Sequence, residues 1–460
     1  MKLLDGPKTP AFLQTIQAIF SPLEYLEKFA QRYGDIFTTR FIGFPSPVVL
    51  CHPQAIQEVF TADPKLFDSG KANKILQPLL GEYSLILHDG DYHQRQRRLL
   101  IPPFHGERMR AYGKLICDIT EQVISQCQIG EPLLARPLMQ EISLRVILRA
   151  VFGIDEGARF QQLRQLLSSL LDIFNSPLKS SLLFIPALQQ DLGPWSPWGQ
   201  FIRQRQQIDQ LLEAEISERR VENDQSREDI LSLMMSARDQ EGQPMTNAEL
   251  RDELMTLLFA GHETTATALA WALYWIHHLP EVGNKLLNEL DNLSDNSDPS
   301  EISRLPYLGA VCSETVRIYP VVLFGFSRIV KAPIQIMGYE FEPGTVLSPC
   351  IYLTHHREDI YPEPKRFKPE RFLERQFSPY EYFPFGGSNR RCIGMAFAQL
   401  EMKLVLATIL SRFQLALADN RPVKPVRRGL TMTPSGGVRL VVRSQRQKAF
   451  KKLVTQTNEK

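Results

Sequence analysis

The chain has 460 residues, of which 43% are hydrophobic and 23% charged, as in an ordinary globular protein. Its net charge of +2 shows none of the basic excess typical of nucleic-acid-binding proteins, so we expect no nucleic-acid partner. The six cysteines are scattered without a CxxC pair, which argues against a disulfide scaffold or a zinc site and favours a reducing compartment.

The chain opens with an uncharged stretch and two predicted strands. The stretch from Thr9 to Leu23 is too short to span a membrane and contains two prolines. We therefore expect no transmembrane anchor and a cytoplasmic location, with a peripheral membrane contact left open. The segment DIFTTRFIGFPSPVVL, residues 35–50, predicts two short strands around a Gly/Pro turn.

Helical periodicity dominates from Asp91 to His278, and shorter strand-like runs follow Pro320. A further helix from Cys392 to Phe413 and a strand pair near residues 438–442 complete the pattern. No polar break is long enough to be a convincing interdomain linker. The sequence thus predicts one mainly α-helical domain over residues 1–460 with a smaller strand-rich part, an N-terminal lead of residues 1–20 and a basic tail of residues 444–460.

A long helix is predicted between Thr246 and Pro280. Thr246 and Glu249 have the spacing of a capping box, and about thirty residues at 1.5 Å each make a helix roughly 50 Å long. The helix is apolar on nearly every face. We expect it in a protein core rather than in a bilayer, where His262 and Glu263 would be costly.

Small and polar residues interrupt this helix at Gly261, Thr264 and Thr265. Glycine costs about 1 kcal/mol relative to alanine in a helix interior, and threonine can bond back to a carbonyl one turn earlier. Two interpretations are open: a packing glycine beside satisfied threonines, or a notch where another group approaches the backbone. The pair His262–Glu263 is not a zinc-protease motif, because position 266 is alanine.

Glu314 and Arg317 lie on one face of a predicted helix in YLGAVCSETVRIYP. Such a pair is commonly a surface salt bridge that contributes little stability. The apolar flanking residues also permit burial, in which case the pair needs a further partner. Arg371, in KPERF, is the candidate for that partner.

The segment FPFGGSNRR leads into Cys392, where a helix is predicted to begin. Its two glycines permit a tight turn, and a helix N-terminus together with Arg390 and Arg391 favours thiolate over thiol. Gly394 leaves space for a flat group to lie close. These residues fit an activated nucleophile, a metal ligand or a buried structural cysteine.

The segment FGGSNRRCIG resembles the haem-binding loop of the cytochromes P450. The resemblance implies Phe385 beside the haem, Arg390 toward a propionate, and Cys392 as the thiolate ligand of iron, with Gly394 following it. The family usually has glycine four residues before the cysteine, where this chain has Ser388. This departure affects only the local turn.

Further motifs fall in the order of the family over residues 90–440. AGHETT resembles the oxygen-binding notch, with Ala260 and Gly261 beside the cofactor and Glu263 and Thr264 as a proton relay. Other matches are the structural triad Glu314, Arg317 and Arg371; the propionate-binding Arg328; and His93 and Arg97 in HQRQR. The opening GPKTPAFLQ is similar to bacterial members related to fatty-acid hydroxylases.

The resemblance implies the cytochrome P450 fold, with haem b between the long central helix and the cysteine-loop helix. It implies a monooxygenase that uses O2 and takes electrons from NAD(P)H through a separate ferredoxin or flavodoxin and its reductase. A peroxide-using or isomerising enzyme and a haem-based sensor are the alternatives. An acidic partner is expected at a basic region that contains Arg95, Arg97, Arg98, Arg108, Arg110 and Lys114, with Glu107 as its one acid.

The substrate is predicted to be a long apolar molecule, a fatty acid or a terpene. The segments expected to line a distal cavity are apolar, although many of their side chains also suit an ordinary core. They comprise Leu257, Leu258 and Phe259; Val321, Val322, Leu323, Phe324 and Phe326; and Leu170, Leu171, Ile173, Phe174, Leu182, Leu183, Phe184 and Ile185.

Overall fold

The computed structural model describes residues 5–43, 46–153, 157–172, 189–222, 224, 226–294 and 297–446. In the described ranges the helices are α1 (Ala11–Phe20), α2 (Pro22–Tyr33), α3 (Pro53–Thr61), α4 (Gln77–Leu80), α5 (Gly90–Leu100), α6 (Arg108–Ile124), α7 (Ala135–Phe152), α8 (Ala158–Asp172), α9 (Pro197–Glu222), α10 (Ile230–Ser236), α11 (Asn247–His278), α12 (Pro280–Asp291), α13 (Pro299–Ser303), α14 (Pro306–Ile318), α15 (Ile351–His355), α16 (Arg371–Glu374) and α17 (Met395–Arg412).

The strands of the same ranges form small sheets beside the helices. They are β1 (Ile36–Thr38), β2 (Pro47–Leu50), β3 (Phe67–Asp68), β4 (Pro132–Leu134), β5 (Arg328–Val330), β6 (Ile334–Ile336), β7 (Tyr339–Phe341), β8 (Val346–Pro349), β9 (Phe413–Leu417), β10 (Pro425–Arg428), β11 (Thr431–Pro434) and β12 (Arg439–Gln445). The largest sheet has the order β1-β2-β8-β5-β3, and β2 pairs with β8 in parallel. The mainly helical fold with a smaller strand-rich part is the one predicted.

The predicted long helix is α11, and its start is fixed by the predicted capping box. The Thr246 hydroxyl accepts from the Glu249 amide at 3.2 Å, and the Glu249 carboxylate accepts from the Thr246 amide at 2.7 Å. The helix has 32 residues and is buried over most of its length. It packs against α7, α9 and α17, so it forms the centre of the helical core.

The helix predicted to open at Cys392 begins later, at Met395, so that expectation is wrong by three residues. The Arg391 amide donates to the Ser388 carbonyl and the Cys392 amide donates to the Phe385 carbonyl, at 3.2 Å and 2.9 Å. These bonds hold Cys392 in a turn ahead of the helix. The predicted strand near residues 438–442 is β12, which lies between β4 and β9.

None of the helices in the ranges above is long and apolar enough to cross a bilayer. In the predicted basic tail, residues 447–460 lie outside the described residues.

Candidate active site

The middle of α11 presents an accessible face in an otherwise buried helix. Ala260 is exposed and Gly261 and Thr264 are half-buried, whereas Leu258 and Thr265 on either side are buried. The Thr264 hydroxyl donates to the Ala260 carbonyl at 2.6 Å, which is the back-bond expected of a threonine within a helix. This turn of the helix therefore leaves part of its surface uncovered.

Gly261 lies on the side of α11 that packs against α7. A Cβ at this position would come 3.2 Å from Cδ1 of Ile147, which is closer than ordinary van der Waals contact. The contact supports the packing interpretation of this glycine, because it lets the two helices approach closely.

Glu263 is clamped by two residues of α7 that sequence reasoning missed. Its carboxylate accepts from the Arg136 guanidinium at 2.5 Å and from the Gln140 side-chain amide at 2.7 Å. The Gln140 carbonyl also contacts Nε2 of His262 at 3.0 Å. These residues lie more than a hundred positions apart in sequence, so no local pattern could have indicated the pairing.

The turn before Cys392 has a backbone that suits glycine. Gly386 and Ser388 have φ of 68° and 59°, both in the left-handed region. A Cβ at Gly387 would come 2.2 Å from the ring of Phe60, so only glycine fits there without movement of the ring. Ser388, where the family usually has glycine, thus adopts a left-handed conformation that suits glycine, at a cost of about 1–2 kcal/mol.

Cys392 is accessible yet closely surrounded by protein. Burial raises the pKa of its thiol, while the Gly394 amide and the guanidinium groups of Arg97 and Arg391 oppose that rise. An accessible side chain in a desolvated setting faces a concave interior. The prediction that Arg390 stabilises the thiolate is not supported, because its guanidinium hydrogen-bonds to Asp89 at 2.5 Å.

A second group of side chains surrounds His93, with Asp89 as its single acid, and Arg97 connects this group to Cys392. The other members are Arg328 and Arg390. Burial and the neighbouring arginines lower the pKa of His93 to about 3, and burial followed by Arg390 lowers the pKa of Arg328 to about 9. Burial also lowers the pKa of Arg97. Desolvation by burial is the largest cause of each shift, and repulsion from a neighbouring arginine adds to it.

Several polar groups in this cluster lack hydrogen-bond partners. Nδ1 of His93 and Nε of Arg390 are buried without a hydrogen-bond partner, and no hydrogen bond of the Arg97 guanidinium forms with the residues described above. Buried donors of this kind are usually satisfied. A cofactor that carries carboxylates, as haem does, fits this cluster, and Gly394 is open because a Cβ there would meet no atom within 4 Å.

The pair Glu314–Arg317 is fully buried rather than at the surface. The Arg317 guanidinium donates to Glu314 at 2.6 Å and 2.9 Å, and Nε of Arg371 donates to the same carboxylate at 3.2 Å. Arg317 also donates to the His355 carbonyl at 2.7 Å. Arg371 is therefore the third member predicted from the sequence.

The predicted basic region loses two members, Arg95 and Arg97, and a third, Arg108, is half-buried. Arg95 donates to Asp239 at 2.6 Å and to Glu249 at 2.8 Å, so its charge is neutralised inside the protein. Arg97 faces the cysteine, as described above. Arg98, Arg110 and Lys114 remain as exposed cations.

The predicted apolar lining is divided between core and accessible positions. Leu170 and Leu258 are fully buried core residues, whereas Leu257 and Phe259 are half-buried and Phe326 is exposed. The half-buried positions after α14 are Val321, Val322, Leu323 and Phe324. The predicted lining residues 173, 174 and 182–185 lie outside the described residues, as does the side chain of Leu171.

Comparisons with known proteins agree with this geometry. A sequence model of the family "Cytochrome P450" matches residues 5–441. Cytochrome P450 135B1 of Mycobacterium tuberculosis is 37% identical over 447 residues, which cover 97% of this chain and 92% of the relative. Cytochrome P450 135A1 of the same organism is 33% identical, with 96% of each chain covered.

A solved structure, "Retinoic acid bound cyanobacterial CYP120A1", superposes with a TM-score of 0.82 at 25% identity and covers 94% of this chain and 96% of that chain. The chain belongs to the cytochrome P450 family, whose members are haem-thiolate monooxygenases that use O2 and NAD(P)H-derived electrons delivered through redox partners.

Proposed function

We propose that Cys392 is the one protein ligand of the haem iron, in a monooxygenase that oxidises a long apolar substrate at a hydrocarbon position. The observation that carries this proposal is the accessible but desolvated cysteine beside a cluster of buried donors that lack acceptors. Haem with a thiolate ligand supplies the chemistry of O–O cleavage. His93, Arg97, Arg328 and Arg390 would donate to its propionates.

In this proposal Glu263 and Thr264 handle protons on the accessible face of α11. The Glu263 carboxylate is 14% exposed, so it stays in contact with solvent while Arg136 and Gln140 hold it in place. Thr264 is the next residue of the helix, and its hydroxyl donates a hydrogen bond to the Ala260 carbonyl. Arg136 and Gln140 would act as positioning residues for the relay.

We expect Thr264→Ala to keep the haem but to uncouple reductant consumption from product formation. Without the hydroxyl, proton delivery is disturbed, and product formed per reductant should fall on the order of ten-fold while peroxide rises. Product, peroxide and reductant are measured together. Thr265→Ala is the matched control, because Thr265 is the neighbouring but buried threonine. If Thr264→Ala forms as much product per reductant as the wild type, Thr264 does not deliver protons.

The same measurement separates the alternative functions. A peroxide-using or isomerising enzyme would form product without reductant, and a sensor would bind ligand without turnover. Coupled consumption of NAD(P)H and O2 with a reductase supports the monooxygenase. The cytoplasmic location remains an expectation from the sequence.

A fatty acid or a terpene is the proposed substrate class. Its support is the set of half-buried apolar side chains at residues 321–324 and at Leu257 and Phe259, which pack against the core and leave part of their surface uncovered. The structural relative named above binds retinoic acid, an apolar chain with a carboxylate. A long hydrocarbon could bind here without a polar anchor, because each buried methylene contributes about 0.8 kcal/mol.

We expect the dissociation constants of a fatty-acid series to fall about four-fold per added methylene until the cavity is filled. Binding is followed through the change in the haem spectrum, with matched alcohols and sesquiterpenes as comparison ligands. Tighter binding of the acid than of its alcohol identifies a carboxylate anchor. A series without any dependence on chain length, with tight binding of small polar ligands instead, contradicts the apolar substrate.

An acidic ferredoxin or flavodoxin is the proposed electron donor, and it docks on the cysteine side. Arg110 and Lys114 are spaced i, i+4 and share one face of α6, and α6 packs against α17. Arg98 adds a third exposed cation on α5, directly after the cysteine-facing Arg97. Opposite charges on the two partners would steer their association.

We expect the association rate with an acidic donor to fall steeply as ionic strength rises. The triple variant Arg98→Gln, Arg110→Gln, Lys114→Gln should lower that rate on the order of ten-fold at low salt and flatten its salt dependence. Arg443→Gln removes an exposed cation of β12 and serves as the control. A wild-type rate that does not respond to salt argues against this docking surface.

A further inference from the structure

The hairpin formed by β10 and β11 carries two neighbouring arginines in different surroundings. Arg427 and Arg428 are both half-buried, and consecutive residues of a strand point to opposite faces, so the two side chains meet different neighbours. Burial and then Arg136 lower the pKa of Arg428, while the Glu263 carboxylate opposes that shift. Burial alone lowers the pKa of Arg427, for which the described residues supply no such acid.

The hydrogen bonds of the Arg427 guanidinium go to carbonyl groups. Its Nε donates to the Gly429 carbonyl at 3.0 Å and its Nη1 to the Ala18 carbonyl at 3.4 Å. Arg427 forms no ion pair within the part of the chain that the structure describes, and arginine carries more N–H donors than these two bonds use. A charge taken out of water is normally paired, because its desolvation is costly. Arg427 is therefore a desolvated cation whose counter-charge is still to be supplied.

Contacts on two sides place Arg427 beside the half-buried apolar segment that follows α14. Met432 lies directly opposite Arg427 in the hairpin, and the Met432 amide donates to the Val321 carbonyl at 2.8 Å. On the other side, Ala18, whose carbonyl Arg427 contacts, packs against the same apolar cluster as Phe324. Paired strands lie about 5 Å apart, so the backbone of Arg427 is roughly two such spacings from that of Val321. The cation therefore lies next to the proposed wall of the substrate cavity.

The same hairpin is joined to α11 at a distance from the accessible face of that helix. The Trp271 indole N–H donates to the Met432 carbonyl at 2.9 Å. Trp271 follows Thr264 by about two turns, which is roughly 10 Å along the helix axis. A carboxylate on Arg427 would therefore lie away from Thr264, and a chain of several carbons would be needed to reach that face. This arrangement suits a long-chain acid better than a compact one.

We infer that Arg427 binds the carboxylate of the substrate, which makes a long-chain fatty acid, rather than an uncharged terpene, the molecule that this enzyme oxidises. The inference rests on the proposed function, because the apolar segment after α14 supplies the wall for the chain. A guanidinium and a carboxylate form charge-assisted and often bidentate hydrogen bonds, which are stronger where water is partly excluded. The carbons that reach Thr264 are then remote from the carboxylate.

Three ligands of equal chain length test this anchor in the haem-loaded protein, namely a saturated fatty acid, its methyl ester and the matching alcohol. Their dissociation constants are measured by calorimetry, which needs no turnover, and through the haem spectrum. We expect the acid to bind the wild type about ten-fold or more tightly than the ester or the alcohol. In Arg427→Gln the acid should bind only as tightly as the alcohol, while the affinity for the alcohol stays as in the wild type.

Two further variants separate carboxylate binding from a structural effect. Arg427→Lys keeps the positive charge and should restore part of the preference for the acid. Arg428→Gln is the matched control, because it removes the neighbouring cation on the opposite face of the hairpin and should keep the full preference. Unchanged binding of the alcohol shows that each variant is folded.

Loss of the preference in Arg427→Gln, with retention in Arg428→Gln, supports the anchor. Equal weakening of acid and alcohol in Arg427→Gln overturns it, since the arginine then only holds the hairpin against α1. Loss of the preference in Arg428→Gln alone overturns it in favour of the neighbouring arginine. A wild type that binds the acid no more tightly than the alcohol overturns the anchor and leaves the proposed apolar substrate in place. A wild type that binds none of the three ligands contradicts the proposed function itself, and the anchor with it.

Discussion

Cys392→Ala is expected to lose the thiolate-type carbonyl spectrum of the reduced haem and all monooxygenase turnover. Alanine offers no ligand to iron, and a thiolate is the ligand that directs electron density toward O–O cleavage. The measurement is the difference spectrum of the reduced protein with carbon monoxide. The fold itself should persist, because the turn is held by backbone bonds such as that from the Cys392 amide to the Phe385 carbonyl.

Cys127→Ala provides the control, since Cys127 is another unpaired cysteine and lies beyond the end of α6. It should keep both the spectrum and the activity. A thiolate-type spectrum that persists in Cys392→Ala would show that a different side chain binds the iron.

Arg317→Leu is expected to lower the free energy of unfolding by about 3–5 kcal/mol. The substitution removes one of the two arginine partners of the buried Glu314 carboxylate and leaves only Arg371. The exposed fraction of both side chains is 0%, so water cannot replace the lost partner. The substitution also removes hydrogen bonds to the carbonyls of His355 and Pro364 and the stacking on Tyr361. Urea unfolding of the purified protein measures the loss.

Arg366→Leu is the matched control: its guanidinium pairs with Glu363, but the side chain is 66% exposed. An exposed pair contributes about 0–1 kcal/mol, so the control should unfold nearly as the wild type does. Glu314→Gln should be destabilised as well, because it leaves the guanidinium groups of Arg317 and Arg371 without their acid. A loss below about 1 kcal/mol in Arg317→Leu would contradict a structural role for the triad.

Local patterns predicted those parts of the molecule that depend on neighbours in sequence. The start of α11 follows from the Thr246–Glu249 spacing, and the Glu314–Arg317 pair follows from i, i+3 geometry on a helix. Whether that pair lay at the surface or in the core could not be derived, since its burial depends on residues 355–371. Arg371 was the candidate third member on the argument that a buried pair needs a further partner, and the family resemblance pointed to the same residue.

The features that sequence reasoning missed are contacts between distant segments. Arg95 was expected on a partner surface, but Asp239 and Glu249 neutralise it from positions 144 and 154 residues away. Arg136 and Gln140 reach Glu263 across a similar separation.

The cysteine turn is anchored to the other half of the chain, and this has a consequence for how the protein folds. Arg390 donates to the Leu85 and His88 carbonyls and to Asp89, across separations of 305, 302 and 301 residues. Strand β2 likewise pairs with β8, and β4 pairs with β12, in each case across most of the chain. Closing such large loops is entropically unfavourable and slow. During synthesis, these distant segments can therefore meet only after nearly the whole chain has left the ribosome. If Cys392 and its neighbours hold the haem as proposed, we expect cofactor capture to be a late event in folding.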